Sequence, residues 1–380
     1  MPVADIASAD VIVIVGSNLR HEVPLLHQRV RQAWRKGAKV HVVNPVDFEF
    51  TFDIAGKQIV APSRIADALG SGELAGVLRN GDRAAVIVGA LAESGPHAAA
   101  IRAAAIELAG STGAALCRIP QGANALGLAN AGVLPASRDA RAMLAEPRAA
   151  YVLYGIEPGL DFADQAPAMQ ALRDAQVVAF SHFACESTRA VADVILPIGL
   201  LPEVDATLTN LDGREQQAVA GAKLPGEARA GWRVLRALGA GLELPGFEFT
   251  DLAGLRAGMG QAVGARRPAT QGDATAASTS VGGLELAMSP AIYRSDAVVR
   301  RAAALQAHPL TLGPRITLNP DDARRIGVAE YAMAKVSNHA GIATVPVSLS
   351  DNVAAGAAWV EGGYGETAAL AAGRVEVQPA

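Results

Sequence analysis

Three apolar runs, each closed by a glycine, constrain this chain more than any other feature: Asp10-Val-Ile-Val-Ile-Val-Gly16, Ala84-Ala-Val-Ile-Val-Gly89 and Ala150-Tyr-Val-Leu-Tyr-Gly155. A short apolar run without alternation reads as a strand buried on both faces, the position of a central strand in a parallel sheet. Each run leads into a helical stretch and then a second strand. The first helix is predicted over 22–36, with Pro24 in its first turn, Gly37 as its C′ residue, and Leu25, Leu26, Val30 and Trp34 at helical spacing. Its return strand is 39–43. The second unit has an alanine-rich helix starting near Pro96 and a return strand at 114–117; the third has a helix over 164–173 and a strand over 176–180. Unequal insertions separate the copies, so they read as a recurring βαβ unit rather than a solenoid. Parallel sheets with helices on both faces follow, and a ligand would lie beyond the carboxyl ends of the strands.

Between 264 and 281 the composition changes to Ala, Thr, Ser, Gln and Gly with little to bury, the signature of a flexible linker. Beyond it, Asn319-Pro-Asp-Asp-Ala-Arg-Arg-Ile-Gly327 reads as a compact helix, with Asn319 as N-cap, Pro320 at N1, two acids in the first turn and Gly327 closing it. Strand-like segments at 331–337, 342–349 and 357–361 surround it and predict a small β-barrel-like domain. The expected organisation is an α/β domain at 1–149, a second at 150–263, the linker at 264–281 and the β-rich domain at 282–380. At 380 residues and 38.9 kDa, the chain is long enough to bury roughly three quarters of its unfolded surface.

Composition excludes several chemistries. A net charge of −4 and a pI near 6.0 give no footprint for nucleic acid or an anionic membrane. The two cysteines, Cys117 and Cys185, cannot supply the roughly four thiolates of an iron–sulfur cluster, and both read as buried reduced thiols. No apolar run approaches the roughly 18 residues of a membrane span, and the first residues lack the charged and apolar regions of a signal peptide, so a soluble cytoplasmic protein is expected. Neither the dinucleotide Gly-x-Gly-x-x-Gly nor the P-loop pattern is present. His21-Glu22 begins like a zinc-peptidase helix, but Leu25 and Pro24 break the pattern, and His182 with Cys185 lacks further ligands.

Two polar constellations remain. Gly16-Ser17-Asn18 and Asn44-Pro45 follow the first two strands, where small polar groups can hydrogen-bond a phosphate or a heterocycle, or instead satisfy the turn's own backbone. The stretch from Glu203 to Gln216 follows Ala192-Asp-Val-Ile-Leu-Pro197. Its Asn210, Asp212 and Arg214 either clamp a polar ligand or hold an irregular connection together.

These same residues carry a family resemblance. Asp10 to Asn18 followed by Gly37-Ala-Lys-Val-His-Val-Val-Asn-Pro45 resembles the "GxN…GAKVIVVDP" half of molybdopterin oxidoreductases. Ser187-Thr-Arg-Ala-Val-Ala-Asp-Val-Ile-Leu-Pro197, with Glu203, Thr207, Asn210, Gly213, Arg214 and Gln216, is similar to that family's "TETAxxADVVLP…E…GT.TN.EGR.Q" signature. Within the family, the stretches Gly16-Ser-Asn-Leu-Arg-His-Glu-Val-Pro24 and Ile292-Tyr-Arg-Ser-Asp-Ala-Val-Val-Arg-Arg-Ala302 resemble the large iron–sulfur subunit of respiratory NADH:quinone oxidoreductase, complex I. The resemblance implies a formate dehydrogenase/DMSO reductase-like fold. It also implies a part in electron transfer from NADH to quinone, within a peripheral arm on the cytoplasmic face of the bacterial plasma membrane. The 4Fe-4S and 2Fe-2S clusters of that family belong to a cysteine-rich N-terminal region that this sequence lacks, which implies a C-terminal fragment. The implied partners are other peripheral-arm subunits, with no nucleic acid and no membrane insertion.

Ser17, Asn18, Asn44, Asn210 and Arg214 align with pterin-contacting positions. In complex I the related domain has lost its pterin, so the resemblance implies a cofactor-free relic with no catalytic residues and no metal. Departures from the pattern are Ala206 in place of the "GT" glycine and Arg189 in place of a small residue. Two other readings stand beside this one: a fragment of an active molybdopterin oxidoreductase of formate dehydrogenase or nitrate reductase type, and a free-standing nucleotide-binding protein using the Gly16 and Gly155 turns.

Overall fold

The apolar run after Asp10 is buried along its whole length as β1 (Val11–Val15). The computed structural model describes residues 1–135, 137–262 and 283–380. The described residues within Met1–Pro120 and Gln271–Ala380 form one compact unit, and those within Gln121–Thr270 form another.

In the first unit β1 is joined by β2 (Lys39–Asn44), β3 (Gly56–Ile59), β4 (Ala84–Val88) and β5 (Ala115–Arg118) in the order β3-β2-β1-β4-β5, all parallel. Because successive side chains alternate between faces, the central strands supply two cores at once. Val13, Val15, Val86 and Val88 cluster with Leu69, Leu78, Ile101 and Leu108. Ile12, Ile14, Val42 and Ile87 cluster with Leu26, Val30 and Phe52. The helix after β1 starts at Pro24 (Pro24–Arg35) rather than at residue 22. A residue before proline is pushed out of the helical region, so Leu19–Glu22 forms a separate turn ended by Val23. Leu25, spaced like its buried neighbours, is 83% exposed on the solvent side of that helix.

The second unit holds a parallel sheet in the order β6 (Ala150–Tyr154), β7 (Gln176–Ser181) and β8 (Val194–Pro197). Leu153, Val177 and Ala179 pack with Leu172 of the helix Gln165–Arg173. Beyond β8, the stretch read as a clamp or an irregular connection is a regular antiparallel hairpin, β9 (Ala206–Thr209) and β10 (Glu215–Ala218). The linker expected at 264–281 lies outside the described residues. Cys117 and Cys185 are half-buried rather than buried, and neither is in a disulfide. Cys117 lies on an edge strand and Cys185 on the loop after β7, so neither has cover on all sides.

Returning to the first unit, β11 (Leu284–Pro290), β12 (Ile316–Leu318), β13 (Met333–Ser337), β14 (Ile342–Leu349), β15 (Ala357–Gly362) and β16 (Gly373–Pro379) close a barrel in the order β11-β15-β12-β14-β13-β16. Its interior is filled by side chains including Leu286, Ile316, Val336, Val345 and Val360. The helix Pro320–Ile326 forms as predicted: the Asn319 amide oxygen accepts from the Asp321 N–H at 3.0 Å, and Gly327 ends the helix at φ +83°. The barrel is fastened to the parallel sheet. Val46, Phe48 and Leu91 pack with Ala287, Val353 and Ala357. Glu285, only 7% exposed, accepts from the Ser63 N–H and the Ser63 hydroxyl, both at 2.8 Å.

Removing the Glu285 carboxylate strands both Ser63 donors and deletes a charge-assisted contact, so Glu285→Ala should cost about 1–3 kcal/mol. Denaturant unfolding of the variant checks this: the midpoint should fall with an unchanged slope. An unaltered midpoint would remove Glu285 from the fastening.

Candidate functional site

In a doubly wound sheet, the ligand crevice opens where the connections leave in opposite directions, here at the carboxyl ends of β1 and β4. The turn after β1 is tight. Gly16 adopts φ +54°, its N–H donates to the Val43 carbonyl at 2.9 Å, and its carbonyl accepts from the Ala92 N–H at 3.2 Å. A Cβ at this position would stand 2.5 Å from Ala92, so glycine is required by both conformation and space.

Ser17 and Asn44 are fully buried and satisfy each other. The Ser17 N–H donates to the Asn44 amide oxygen at 2.8 Å, and the Asn44 amide donates back to the Ser17 carbonyl at 3.1 Å. This exchange ties the ends of β1 and β2 together. The Ser17 hydroxyl donates to Glu22 at 2.6 Å, and the other Glu22 oxygen accepts from the Ala90 N–H at 2.8 Å, just beyond β4. Glu22 therefore spans the mouth of the crevice with its carboxylate. Burial pushes its carboxyl above the ordinary range, against the hydrogen bonds from Ser17 and Ala90. A Cβ at Gly89 would lie 2.4 Å from Ser17 Cβ and 2.7 Å from the Glu22 carboxylate, so the space is filled. Asn18 is the exception: it is 8% exposed, and its amide oxygen is buried without a partner. Nearby, burial tends to raise the Glu93 carboxyl, but Arg118 and Arg102 hold it below the ordinary range.

Ser17, Asn18 and Asn44 are thus brought together, and the local-backbone reading describes how Ser17 and Asn44 bond. Asn210 and Arg214 lie on the β9–β10 hairpin of the other unit. There the Asn210 amide oxygen accepts from the Asp212 and Arg214 N–H groups at 3.0 and 2.9 Å, shaping the turn with Gly213 at φ +77°. Glu22 was the residue the sequence did not single out for this site. Its partner Ala90 is 68 positions away, and its only local signal was its place beside His21 in a broken zinc pattern. His182 Nδ1 lies 3.3 Å from the Ile198 carbonyl, and Cys185 Sγ lies 3.0 Å from the Thr188 hydroxyl. Burial would raise the Cys185 thiol, but bonds to Ser187 and Thr188 bring it below its ordinary value. Among the described residues no three His, Cys, Asp or Glu side chains are grouped to hold a metal ion, and no helix is long and apolar enough to cross a membrane.

Two family models match the chain: molybdopterin oxidoreductase over residues 1–240 and the molydopterin dinucleotide binding domain over 292–377. The chain belongs to the molybdopterin oxidoreductase family. It is 28% identical to the G-type subunit of the NADH-quinone oxidoreductase of Mycobacterium bovis, over 92% of this chain and 48% of that protein. It is also 28% identical to the mitochondrial NADH-ubiquinone oxidoreductase 78 kDa subunit of Neurospora crassa, over 67% of this chain and 33% of that protein. The chain thus spans half or less of the length of these relatives. Among solved structures, acetylene hydratase from Pelobacter acetylenicus has the same fold, with a TM-score of 0.68 and 13% identity over 95% of this chain and 74% of that one.

At the β1 turn the backbone and hydroxyl donors are already engaged, while the Asn18 amide oxygen has no partner. The Ser17 donors and the Ala90 N–H are spent on Asn44 and Glu22, and an incoming anion would face the Glu22 carboxylate with no space at Gly89.

Gly89→Ala inserts a methyl against Ser17 and Glu22 and should destabilise by about 1–3 kcal/mol. In thermal unfolding, Ser17→Gly should cost less in the Gly89→Ala background than in wild type, because it removes both the Cβ and the hydroxyl that the new methyl would meet. Strict additivity of the two substitutions would show that they do not share this contact.

Proposed function

We propose that this chain is a cofactor-free scaffold and interaction part of the large iron–sulfur subunit of NADH:quinone oxidoreductase, the complex that passes electrons from NADH to quinone. The observation that carries the reading is the β1 turn, closed by Ser17, Asn44 and Glu22 where the family would place a pterin. Similarity to the mycobacterial oxidoreductase subunit over 92% of the chain supports the assignment to that complex. Two half-buried cysteines fall short of the roughly four thiolates a cluster needs, so the 4Fe-4S and 2Fe-2S clusters would lie outside this sequence. In this role the chain packs against cluster-bearing and neighbouring peripheral-arm subunits on the cytoplasmic side of the membrane. Of its relic positions, Ser17, Asn44 and Asn210 spend their side chains on holding turns, Arg214 joins its turn through its backbone N–H, and Asn18 keeps a buried amide oxygen without a partner.

The test is to produce the chain in a molybdenum-competent host, alone and together with peripheral-arm subunits of the complex. The expected result is protein without molybdenum, iron, sulfide or pterin fluorescence that co-purifies in fixed stoichiometry with those subunits. Retained pterin would instead support an active molybdopterin enzyme. Saturable binding of NADH, ATP or GTP by calorimetry would support the nucleotide-binding reading.

A further inference from the structure

The barrel holds a buried carboxylate that no contact explains. Glu361, at the end of β15, is 6% exposed, and its Oε2 is buried without a hydrogen-bond partner. Arg315, the residue before β12, lines one shallow depression of the barrel surface with Glu361, Gly313, Thr317 and Trp359. Among the described residues no ion pair joins Arg315 to Glu361, although both line this depression.

Other candidates for pairing with Glu361 are engaged. The Trp359 indole N–H donates to the Ser289 hydroxyl at 2.9 Å. Arg294 donates to the Gly363 carbonyl at 2.6 Å and to Gln306 at 2.7 Å, with its guanidinium stacked 4.4 Å over the Tyr364 ring. The Tyr364 hydroxyl accepts from the Gly313 N–H at 3.1 Å. Among the charged and titratable groups near Glu361, which are Arg315, Arg294 and Tyr364, only Arg315 makes no hydrogen bond or ion pair among the described residues.

We infer that Glu361 on β15 and Arg315, the residue before β12, form a proton-controlled latch: while Glu361 carries its proton the two side chains are unpaired, and loss of that proton to solvent draws the Arg315 guanidinium in to pair with it. Burial pushes the Glu361 carboxyl up to about 7, with Arg315 the cation that opposes the shift, so the latch works near neutral pH. The segment that would move is anchored two residues away, where Gly313 is held by Tyr364.

The latch is tested by an NMR pH titration of the full chain, following the Glu361 carboxyl carbon and the Arg315 Nε–H. Both signals should turn over with one midpoint near 7. Glu361→Gln should leave the Arg315 signal flat across the same range, and Arg315→Gln should move the Glu361 midpoint upward. The folded state holds the proton more tightly than the unfolded chain. Wild type should therefore lose thermal stability relative to Glu361→Gln as pH rises from the ordinary carboxylate range toward the midpoint, and lose no more beyond it. A Glu361 midpoint in the ordinary carboxylate range, or an Arg315 signal that does not follow it, would overturn the inference.

Discussion

The reciprocal pair between Ser17 and Asn44 is the contact on which the first unit turns. It joins the ends of β1 and β2, two of the strands whose side chains feed both hydrophobic cores, and it does so with groups fully removed from water. An unmade bond there would leave a buried amide or peptide group unsatisfied, which is why a serine and an asparagine sit in an otherwise apolar layer. Glu22 extends the same logic across to β4 through Ser17 and Ala90. The ends of β1, β2 and β4 are thereby linked by an internal joint, and the turn's glycines are needed for close approach of protein to protein.

The parallel sheets were legible because their signal is local. Val11–Val15 and Ala84–Val88 are continuous apolar runs bounded by turn residues, and Asn319, Pro320 and Gly327 mark a helix with caps whose partners lie within a few residues. The strands that escaped notice lack such a signal. Leu284–Pro290 carries a buried Glu285, and Ile316–Leu318 is three residues long, so neither pattern stands out before its partners are known. The Glu203 to Gln216 stretch reads equally as a clamp or an irregular connection because turn-forming and ligand-binding side chains are the same residue types. Only the pairing of Thr207 with Gln217 shows a hairpin.

The site was half legible for a related reason. Gly16, Ser17 and Asn44 follow predicted strands, so topology alone places them at one edge. Nothing in the sequence says that Ser17 and Asn44 would consume each other's hydrogen bonds, or that Glu22 would reach Ala90 across 68 residues. Separating a ligand-binding turn from a self-satisfied one requires knowing where each donor goes, and that is settled by tertiary packing.

Buried acids show how consistently this chain directs its polar groups inward. Glu22 takes the N–H of Ala90, Glu285 takes that of Ser63, and Asp322 takes that of Gly356 at 2.6 Å while pairing with Arg325. Each carboxylate ties together two segments distant in sequence, and the backbone donor offsets part of the desolvation cost of the charge. Glu361 breaks the pattern, since its buried Oε2 meets no donor and the neighbouring Arg315 forms no ion pair with it among the described residues. A carboxylate of that kind is tolerated when it is held neutral, and the other three are tolerated because they are bonded. A carboxylate thus serves as a fastening at Glu22, Glu285 and Asp322, where a backbone N–H lies within reach, and stands with an unpartnered Oε2 at Glu361.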